Sequence, residues 1–300
     1  MAKRARLLEL HQMNPDVSVV MCARNAEKYI GSCIGSILNQ TFQNFEIVLV
    51  DDMSSDDTAN IVLKFNDKRI RCIRNKEWLK IPRSRNEGLK YAKGKYIFFT
   101  DADCTVSPNW IEEGLKYLEH KNCIGVEGRI TYVSEDYEPT FSDHVMENTS
   151  GGQFMTGNEA YTKDVVLAVG GFDERMGSLT DRDFGFRAMK HGKIGFNPNM
   201  TVYHPRVTLT PTTLIKSAAN TADRVFLFKK FGERKFMLWR ILFPSSLAKA
   251  LFPPLTFASL FFGRFRTSDD FELLPYTYVF VILERLQLWK TSTKERVFLI

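Results

Sequence analysis

The chain has 300 residues, of which 44% are hydrophobic and 25% are charged, as in globular proteins with one large or two modest domains. Its five scattered cysteines include no Cys-x-x-Cys pair, which argues against a structural zinc site and a disulfide framework and favours a reducing compartment. The net charge of +6 is uneven, because residues 211–300 carry +7 and the remaining residues carry −1.

Strand and helix patterns alternate over the first 120 residues. The predicted strands are the apolar runs Val17–Met21, Phe45–Val50, Ile70–Ile73 and Tyr96–Thr100. The predicted helices begin at Asn25, at a capping-box-like pair of Ser54 and Asp57, at Ser84 and at Ser107-Pro108. This alternation predicts an α/β fold with a mixed, mostly parallel sheet that is flanked by helices.

The pattern changes after Cys123. Two short strands are predicted at Ile124–Val126 and Arg129–Val133, then helices at Lys163–Val169 and Thr180–His191, with Thr180 as N-cap, and a last strand at Met200–Tyr203. A Pro-Thr-Thr stretch at 211–213 predicts a domain boundary. We therefore expect a basic N-terminal tail over 1–15, an α/β domain over 16–212 and a helical region over 213–300.

The C-terminal region is basic, aromatic and apolar. After a predicted helix at Thr213–Phe231, the run Phe236–Gly263 is interrupted by charged residues and prolines, and the run Leu273–Leu283 is short. A membrane-spanning helix needs roughly 20 apolar residues in succession, so interfacial or re-entrant helices on an anionic membrane surface are predicted instead. The alternative is a helical packing domain in water. No nucleic-acid motif is visible, and the basic N-terminus lacks the apolar stretch of a signal peptide.

Carboxylates follow two of the predicted strands. Asp51 and Asp52 end the second strand, and Asp101 and Asp103 end the fourth, at the edge where α/β sheets usually bind ligands. Oxygen ligands of this kind suit Mg²⁺ or Mn²⁺ carrying a diphosphate, although each pair is also compatible with a solvated or helix-capping turn. A glycine-rich dinucleotide fingerprint, a phosphate loop and a nucleophile elbow are all absent from the sequence, which argues against a nicotinamide enzyme.

Six ordered motifs between about Val17 and His204 complete the pattern. They are V-S-V-V-M-C-A-R-N-A-E (17–27), S-I-L-N-Q-T-F-Q-N-F-E-I-V-L-V-D-D-M-S-S-D-D-T (36–58), R-S-R-N-E-G (83–88), T-D-A-D (100–103), G-G-F-D-E (170–174) and T-D-R-D-F-G-F-R (180–187). In this combination the sequence resembles the family-2 inverting nucleotide-sugar glycosyltransferases of the GT-A fold. The resemblance covers about two-thirds of the chain and implies a GT-A type, Rossmann-like sheet.

The resemblance also implies roles for individual residues. Asp52 binds the base, and the segment after the first strand lines the same pocket; the nucleotide-binding residues implied in this way are Ala23, Arg24, Asn25, Glu27, Asp52, Arg85, Asn86, Asp101 and Ala102. Arg85 and Asn86 support the nucleotide near the diphosphate, and Asp101 contacts the ribose or donor sugar. Asp103 ligates the divalent cation, which stabilises the leaving diphosphate.

Asp181 is the candidate general base that deprotonates the acceptor hydroxyl. Many members of the family carry E-D-x-D at this point, whereas this chain has T-D-R-D, so Thr180 replaces the usual glutamate. A helix N-terminus favours the charged form of a carboxylate, which predicts that Asp181 stays ionised. The alternative is that Asp181 and Asp183 only complement the helix dipole. His204 is either a further metal ligand, as in some relatives, or a structural histidine.

The hypothesis that unites these observations is a metal-dependent inverting glycosyltransferase that uses Mn²⁺ or Mg²⁺. It would transfer a sugar from a nucleotide-sugar donor, with UDP-sugars favoured, to a glycan or lipid-linked acceptor at the cytoplasmic face of the cell membrane. The alternatives are a polyprenyl-phosphate sugar synthase and a catalytically silent nucleotide-sugar-binding protein. No nucleic-acid partner is expected.

Overall fold

The computed structural model describes residues 15–132, 140–144, 146–232, 237–238, 241–242, 244–252, 255, 267–297 and 299. Nearly all of the predicted N-terminal tail and much of the apolar run Phe236–Gly263 lie outside these residues. The described residues group into two compact units. The first comprises residues up to 132 and 146–205, and the second comprises 140–144 and the described residues from 206 onward.

The first unit is built on a mixed sheet that has eight strands within the described residues. They are β1 (Val17–Ala23), β2 (Phe45–Asp51), β3 (Ile70–Arg74), β4 (Tyr96–Thr100), β5 (Thr105–Val106), β6 (Gly125–Tyr132), β7 (Asn158–Thr162) and β8 (Ile194–His204). The spatial order is β3-β2-β1-β4-β7-β6-β8-β5. Four of the seven neighbouring pairs are parallel, and β7 is antiparallel to both of its neighbours. The predicted mixed, mostly parallel sheet is confirmed.

Helices cover both faces of this sheet. They are α1 (Ile30–Leu38), α2 (Thr58–Lys64), α3 (Ile81–Tyr91), α4 (Trp110–His120), α5 (Lys163–Val169) and α6 (Thr180–Ala188), the last continued by a short 3₁₀ turn at Met189–His191. Their apolar residues divide between two core clusters. Residues of α1, α2 and α4 belong to one cluster, and residues of α5 and α6 belong to the other.

Successive residues of the central strands belong to different clusters, because side chains alternate across a sheet. Val19 and Phe98 pack with α1 and α4, whereas Val20 and Phe99 pack with α5 and α6. Phe98 contacts Trp110 edge to face, with ring centroids 5.1 Å apart. Burial on both faces explains why the strands appear in the sequence as continuous apolar runs rather than as alternating patterns.

The prediction that a helix begins at Asn25 is wrong, since α1 begins only at Ile30. Asn25 has a left-handed backbone, with a φ of 52°. Its N–H donates to Ser54 Oγ at 3.0 Å, and the next N–H, of Ala26, donates to Thr58 Oγ1 at 2.8 Å. These N–H groups are bound by side chains that follow β2, so they form a tie between two strand ends instead of a helix start.

The predicted capping by Ser54 and Asp57 is also wrong. The helix α2 begins at Thr58, and Asp57 occupies the N-cap position without a side-chain capping bond. Ser54 instead donates its N–H to Asp51 Oδ1 at 3.0 Å and closes the turn that leaves β2.

Several other boundaries differ from the predictions. One strand, β6, runs where two are predicted, and it contains a register shift between Gly128 and Arg129. The strand β7 has no counterpart among the predictions. Thr180 is the first residue of α6 rather than its N-cap, a position that Leu179 occupies with a φ of 52°. The helix α3 begins before the predicted Ser84, and α4 begins after the predicted Ser107-Pro108.

The second unit is mainly helical among its described residues. Its elements are α7 (Pro211–Ser217), a 3₁₀ turn (Ala218–Asn220), α8 (Thr221–Phe231), the two-residue strands β9 (Met237–Leu238) and β10 (Ile241–Leu242), α9 (Pro244–Leu251) and α10 (Ser268–Lys294). Capping boxes that start at Thr210 and Thr267 begin α7 and α10. Within the part of the chain that the structure describes, no helix has the length and apolar character needed to cross a bilayer.

Candidate active site

One edge of the sheet collects the polar residues that the sequence singles out. The strands β1, β2, β4, β6 and β8 run in the same direction and end at this edge, and β7 begins there. Asp52 follows β2, Asp101 and Asp103 follow β4, and His204 ends β8. Residues that are far apart in the sequence therefore lie along a single edge, as expected for a ligand site in an open α/β sheet.

Asp52 is buried and is bound by the segment 75–80, which connects β3 to α3. Its Oδ1 accepts hydrogen bonds from Asn75 Nδ2 and Leu79 N at 2.9 Å each, and its Oδ2 accepts one from Lys80 N at 3.0 Å. A carboxylate offers about four acceptor positions, so one remains on Oδ2. The predicted contact of Asp52 with a base or ribose stays a prediction, and the structure adds a second task, the anchoring of this segment.

The segment after β1 contacts mainly the turn after β2. Asn25 Oδ1 accepts a hydrogen bond from Ser55 N at 2.9 Å, and Glu27 Oε2 accepts one from Asp57 N at 3.1 Å. Ala23 is buried, and its carbonyl accepts the Asp52 N–H at 2.8 Å. These contacts shape the edge from within the protein, and the nucleotide-binding roles predicted for Ala23, Asn25 and Glu27 stay predictions.

Arg24 has a different environment. Its side chain is exposed, and its guanidinium lies 4.3 Å from the ring centroid of Trp78, a residue of the segment 75–80 that the sequence patterns do not single out. Trp78 is itself 56% exposed. The contact joins the segment after β1 to the segment 75–80, whose backbone N–H groups bind the carboxylate of Asp52.

Asp101 is paired with Arg85 of α3. Arg85 Nη2 lies 3.0 Å from Asp101 Oδ1, and neither side chain is fully buried. The backbone of the segment before β7 also approaches Asp101, because a Cβ added to Gly157 would lie 3.1 Å from Asp101 Oδ2. Ala102, between the two acidic residues, is buried in the core.

Asn86 contacts the loop that contains the G-G-F-D-E motif. Its Nδ2 donates to Phe172 O and to Glu174 Oε1 at 2.9 Å each, and its Oδ1 accepts the Phe172 N–H at 2.8 Å. Both ends of the amide are therefore engaged by protein groups. Its predicted role at the nucleotide stays a prediction, and these hydrogen bonds position α3 against that loop.

Asp103 and His204 form the candidate metal centre. With Cys104 they bring three potential ligand atoms within 4.8 Å of one another, and His204 Nε2 lies 3.7 Å from Asp103 Oδ2. His204 Nδ1 lies 2.7 Å from the carbonyl oxygen of Pro205. Because a carbonyl can only accept, Nδ1 carries the proton, so in the neutral ring it is Nε2 that presents a lone pair. A carboxylate oxygen and a neutral imidazole nitrogen fit a divalent cation such as Mn²⁺.

Burial and neighbouring charges shift the pKa values of the acidic groups in this centre. Burial raises the pKa of the Asp103 carboxyl above its ordinary value, the negative charge of Asp101 raises it further, and His204 lowers it. Burial also raises the pKa of the Cys104 thiol well above its ordinary value, with Asp101 and Asp103 acting in the same direction. A cation between these groups would offset the repulsion between the two carboxylates.

Asp181 lies in the first turn of α6, where its Oδ1 accepts the Arg182 N–H at 2.8 Å. Burial raises the pKa of this carboxyl, Arg85 and the Arg182 N–H lower it, and Asp101 raises it, with a net increase above the ordinary value. The predicted stabilisation of the charged form by the helix N-terminus is therefore outweighed by burial. A carboxylate with a raised pKa is a stronger proton acceptor near neutral pH.

Asp183, two residues further on, forms an ion pair with Arg187. Its Oδ2 lies 2.7 Å from Nε and 2.6 Å from Nη2 of Arg187, and Arg187 Nη1 donates to the carbonyls of Val169 and Gly171. Asp183 is fully buried. These contacts join α6 to the end of α5 and favour a structural role for Asp183.

Two buried glutamates behind the site are not predicted from the sequence. Glu127 of β6 and Glu159 of β7 are paired across the sheet. The Glu127 carboxylate accepts hydrogen bonds from the N–H groups of residues 152, 153 and 154. Glu159 accepts one from the Tyr161 hydroxyl at 3.2 Å, and its Oε2 has no hydrogen-bond partner among the described residues. Burial raises the pKa of Glu159 well above its ordinary value, and the charges of Glu127 and Asp181 raise it further.

Comparison of the sequence with known proteins finds glycosyltransferases. The family model described as "Glycosyl transferase family 2" matches residues 18–191. An Escherichia coli protein named "UDP-Glc:alpha-D-GlcNAc-diphosphoundecaprenol beta-1,3-glucosyltransferase WfgD" is 33% identical over 143 residues, which cover 48% of this chain and 54% of that protein. The matches to the first few curated relatives span between about a third and about half of those proteins' lengths.

Solved structures share the fold. TarS from S. aureus, residues 1–349 in complex with UDP, superposes with a TM-score of 0.58 at 19% identity and covers 94% of this chain and 91% of its own. The mannosyltransferase PcManGT from Pyrobaculum calidifontis, in complex with GDP-Man and Mn²⁺, gives a TM-score of 0.62 at 14% identity, covering 92% and 87%. At these identities the likeness establishes the fold, which is of the GT-A type.

Proposed function

The chain belongs to glycosyl transferase family 2, and on that premise we propose that it transfers a sugar with inversion from a nucleoside diphosphate sugar, with UDP-sugars favoured, to a hydroxyl group of a glycan or lipid-linked acceptor. The observation that supports this proposal most directly is the grouping of three features in one unit. The Asp101–Arg85 pair acts on both other features: Asp101 raises the pKa of Asp103 in the Asp103–His204 pair, and Arg85 and Asp101 act on the pKa of the half-buried Asp181.

The donor half of the site is the strand edge with Asp101, Asp103 and His204. We assign Asp103 and His204 as the residues that would hold Mn²⁺ or Mg²⁺, because their facing oxygen and nitrogen atoms fit such a cation. When bound, the cation supplies Lewis-acid stabilisation of the negative charge on the leaving diphosphate. Arg85 lies on the same side, where its guanidinium is paired with Asp101 and compensates the charge of that carboxylate. PcManGT, which shares the fold, binds GDP-Man and Mn²⁺.

The acceptor half centres on Asp181. One carboxylate oxygen, Oδ1, is held by the Arg182 N–H, which leaves Oδ2 to accept a proton. As the acceptor oxygen forms its bond to the anomeric carbon, its proton passes to Asp181 and the bond from that carbon to the diphosphate oxygen breaks. This single displacement inverts the configuration at the anomeric carbon, and its rate depends on alignment of the three reacting centres.

The proposed acceptor is supported by the name of a relative, and the proposed location is supported by the charge of the chain. The E. coli relative is named for an acceptor on diphosphoundecaprenol, a membrane lipid. Residues 211–300 carry a net charge of +7, which would attract an anionic surface. We therefore place the enzyme at the cytoplasmic face of the membrane as a peripheral or interfacial protein. Flotation of the full chain with vesicles that contain phosphatidylglycerol tests this, and absence of binding at low salt would contradict it.

The proposed base is tested by Asp181→Asn. We expect UDP affinity in the presence of Mn²⁺ to stay close to that of the wild type, because Asp181 is not assigned to the donor. We expect kcat for sugar transfer from a UDP-sugar to fall by a factor of about 10² to 10⁴, which is the usual contribution of a general base. The measurements are isothermal titration with UDP and initial rates over a panel of UDP-sugars.

A matched control is Asp164→Asn, an exposed acidic residue in the first turn of α5. It removes the same charge from the start of a helix without touching the site. If Asp181→Asn turned over as fast as this control, the base would have to be assigned to another residue.

A further inference from the structure

The helix α10 has two faces of different character. One face packs within the second unit, where Leu288 forms a core cluster with Val225 and Leu299. The other face is exposed and carries a row of residues, here called the seam, at alternating spacings of four and three: Glu272, Tyr276, Val279, Leu283, Leu286 and Lys290. This alternation repeats every seven residues, which is the period with which one helix packs along another in a coiled coil.

The middle of the seam is apolar. Its four central residues, from Tyr276 to Leu286, are between 36% and 53% exposed. They lie beyond Pro275, in the part of α10 whose sequence contains no proline, so they form one continuous strip. A contiguous apolar strip on the surface of a soluble domain marks a place where another molecule binds.

The seam is symmetric along the helix. Its members form three pairs at equal distances from position 281: Glu272 with Lys290, Tyr276 with Leu286, and Val279 with Leu283. Two copies of α10 that packed antiparallel would therefore bring each member opposite the other member of its pair. Apolar residues would meet apolar residues, and the acidic end of one copy would meet the basic end of the other.

We propose that the seam is a self-association surface, along which two copies of this chain pack antiparallel through α10 in a two-fold symmetric dimer. Every contact in such a dimer occurs twice, so Glu272 of each copy faces Lys290 of the other. A parallel pair would instead place like charges together at both ends. The dimer goes beyond the proposed sugar transfer and does not depend on it.

An anionic membrane surface is a poorer match for this face. The helix α10 contains four acidic and three basic residues, although residues 211–300 as a whole carry a net charge of +7. Asp269 and Glu272 lie at the start of the exposed face, where anionic lipids would repel them. The positive charge that would attract a membrane therefore lies outside α10, and charge complementarity favours a second copy of the chain as the occupant of the seam.

Sedimentation velocity of the full chain over a concentration series measures the dimer. A single helix pair is a small interface of the transient class, so the series should extend to about 100 μM. The decisive variants are Glu272→Lys and Lys290→Glu. Each places like charges opposite one another twice per dimer and should weaken association by about 3- to 30-fold.

Mixing these two variants tests the antiparallel orientation. In an equimolar mixture the dimer between the two variants regains opposite charges at both ends, so association should recover. The double variant Glu272→Lys/Lys290→Glu should dimerise as the wild type does for the same reason. A parallel pair would show neither recovery, because residue 272 would then face residue 272.

The apolar part of the seam is tested by Leu286→Lys. This change removes an apolar contact twice per dimer and introduces a charge in its place, so it should weaken association by about 10-fold or more. The matched control is Leu63→Lys, the same change at an exposed leucine of α2 in the first unit, and it should leave association unchanged.

Three results would overturn the proposal. One is a wild-type chain that stays monomeric throughout the concentration series, and another is a mixture of the charge variants that associates no better than its components. The third is a Leu286→Lys chain that associates as the wild type does but no longer binds phosphatidylglycerol vesicles, which would make the seam a membrane-docking face. None of these results affects the proposed sugar transfer, which Asp181→Asn tests separately.

Discussion

Replacement of Asp52 by asparagine tests the carboxylate that anchors the segment 75–80. In the native protein Asp52 Oδ1 accepts two hydrogen bonds, from Asn75 and Leu79, and Oδ2 accepts one from Lys80. An amide supplies one acceptor oxygen, so its NH₂ group must face at least one of these donors and leave it unpaired. An unpaired donor of this kind costs about 1–3 kcal/mol, and we expect the free energy of unfolding to fall by that amount.

The free energy of unfolding is measured by urea denaturation, and UDP affinity is measured on the same samples. We expect the loss of stability to be accompanied by weaker UDP binding, because Asp52 is also predicted to contact the base or ribose. The exposed control Asp164→Asn should change stability by about 0.5 kcal/mol or less. An Asp52→Asn protein as stable as this control would refute the anchoring role of Asp52.

Two further predictions concern charge and pH. Glu159→Gln should gain stability relative to the wild type as the pH rises above 5, by at most about 1.4 kcal/mol per pH unit, because the unfolded glutamate loses its proton above its ordinary pKa of 4.5, whereas burial raises the pKa of the native glutamate. Denaturation at several pH values measures this, and a difference that does not change with pH would contradict it. Arg85→Gln should move the acidic limb of the kcat/KM profile to higher pH, because Arg85 lowers the pKa of Asp181. Arg83→Gln is the control, since Arg83 pairs with Glu174 instead, and an unmoved limb would refute the coupling.

The sequence predicts well those features that depend on burial. The strand Tyr96–Thr100 and the helix Lys163–Val169 have the predicted bounds. The central strands are recognisable because both faces of the sheet are covered, so their apolar runs are continuous. The gathering of Asp52, Asp101 and Asp103 at one edge follows from the parallel topology, since parallel strands end on the same side.

Features that depend on contacts between residues far apart in the sequence could not be predicted from local sequence patterns. The segment at Asn25 contains the apolar spacing of a helix, but its N–H groups are bound by hydroxyls some 30 residues away. The strand β7 begins with Asn158 and Glu159, two polar residues whose burial the local pattern does not indicate. Trp78 lies in a polar stretch without periodicity, and only the fold brings it over Arg24.

The negative charges at the strand edge predict that binding of the donor depends on a cation, independently of the family to which the chain belongs. The edge holds the carboxylates Asp101 and Asp103, and Asp181 senses the charge of Asp101. A diphosphate adds further negative charge to this group. Arg85 is already paired with Asp101, so its charge is largely compensated before a donor binds. Repulsion of this kind raises the pKa of neighbouring acids, as at Asp103, and it is relieved by a bound cation. We therefore infer that the donor and the divalent cation bind together and that neither binds tightly alone. Titration of UDP at increasing Mn²⁺ measures this coupling, and UDP affinity that was independent of Mn²⁺ would show that the protein's own cations suffice.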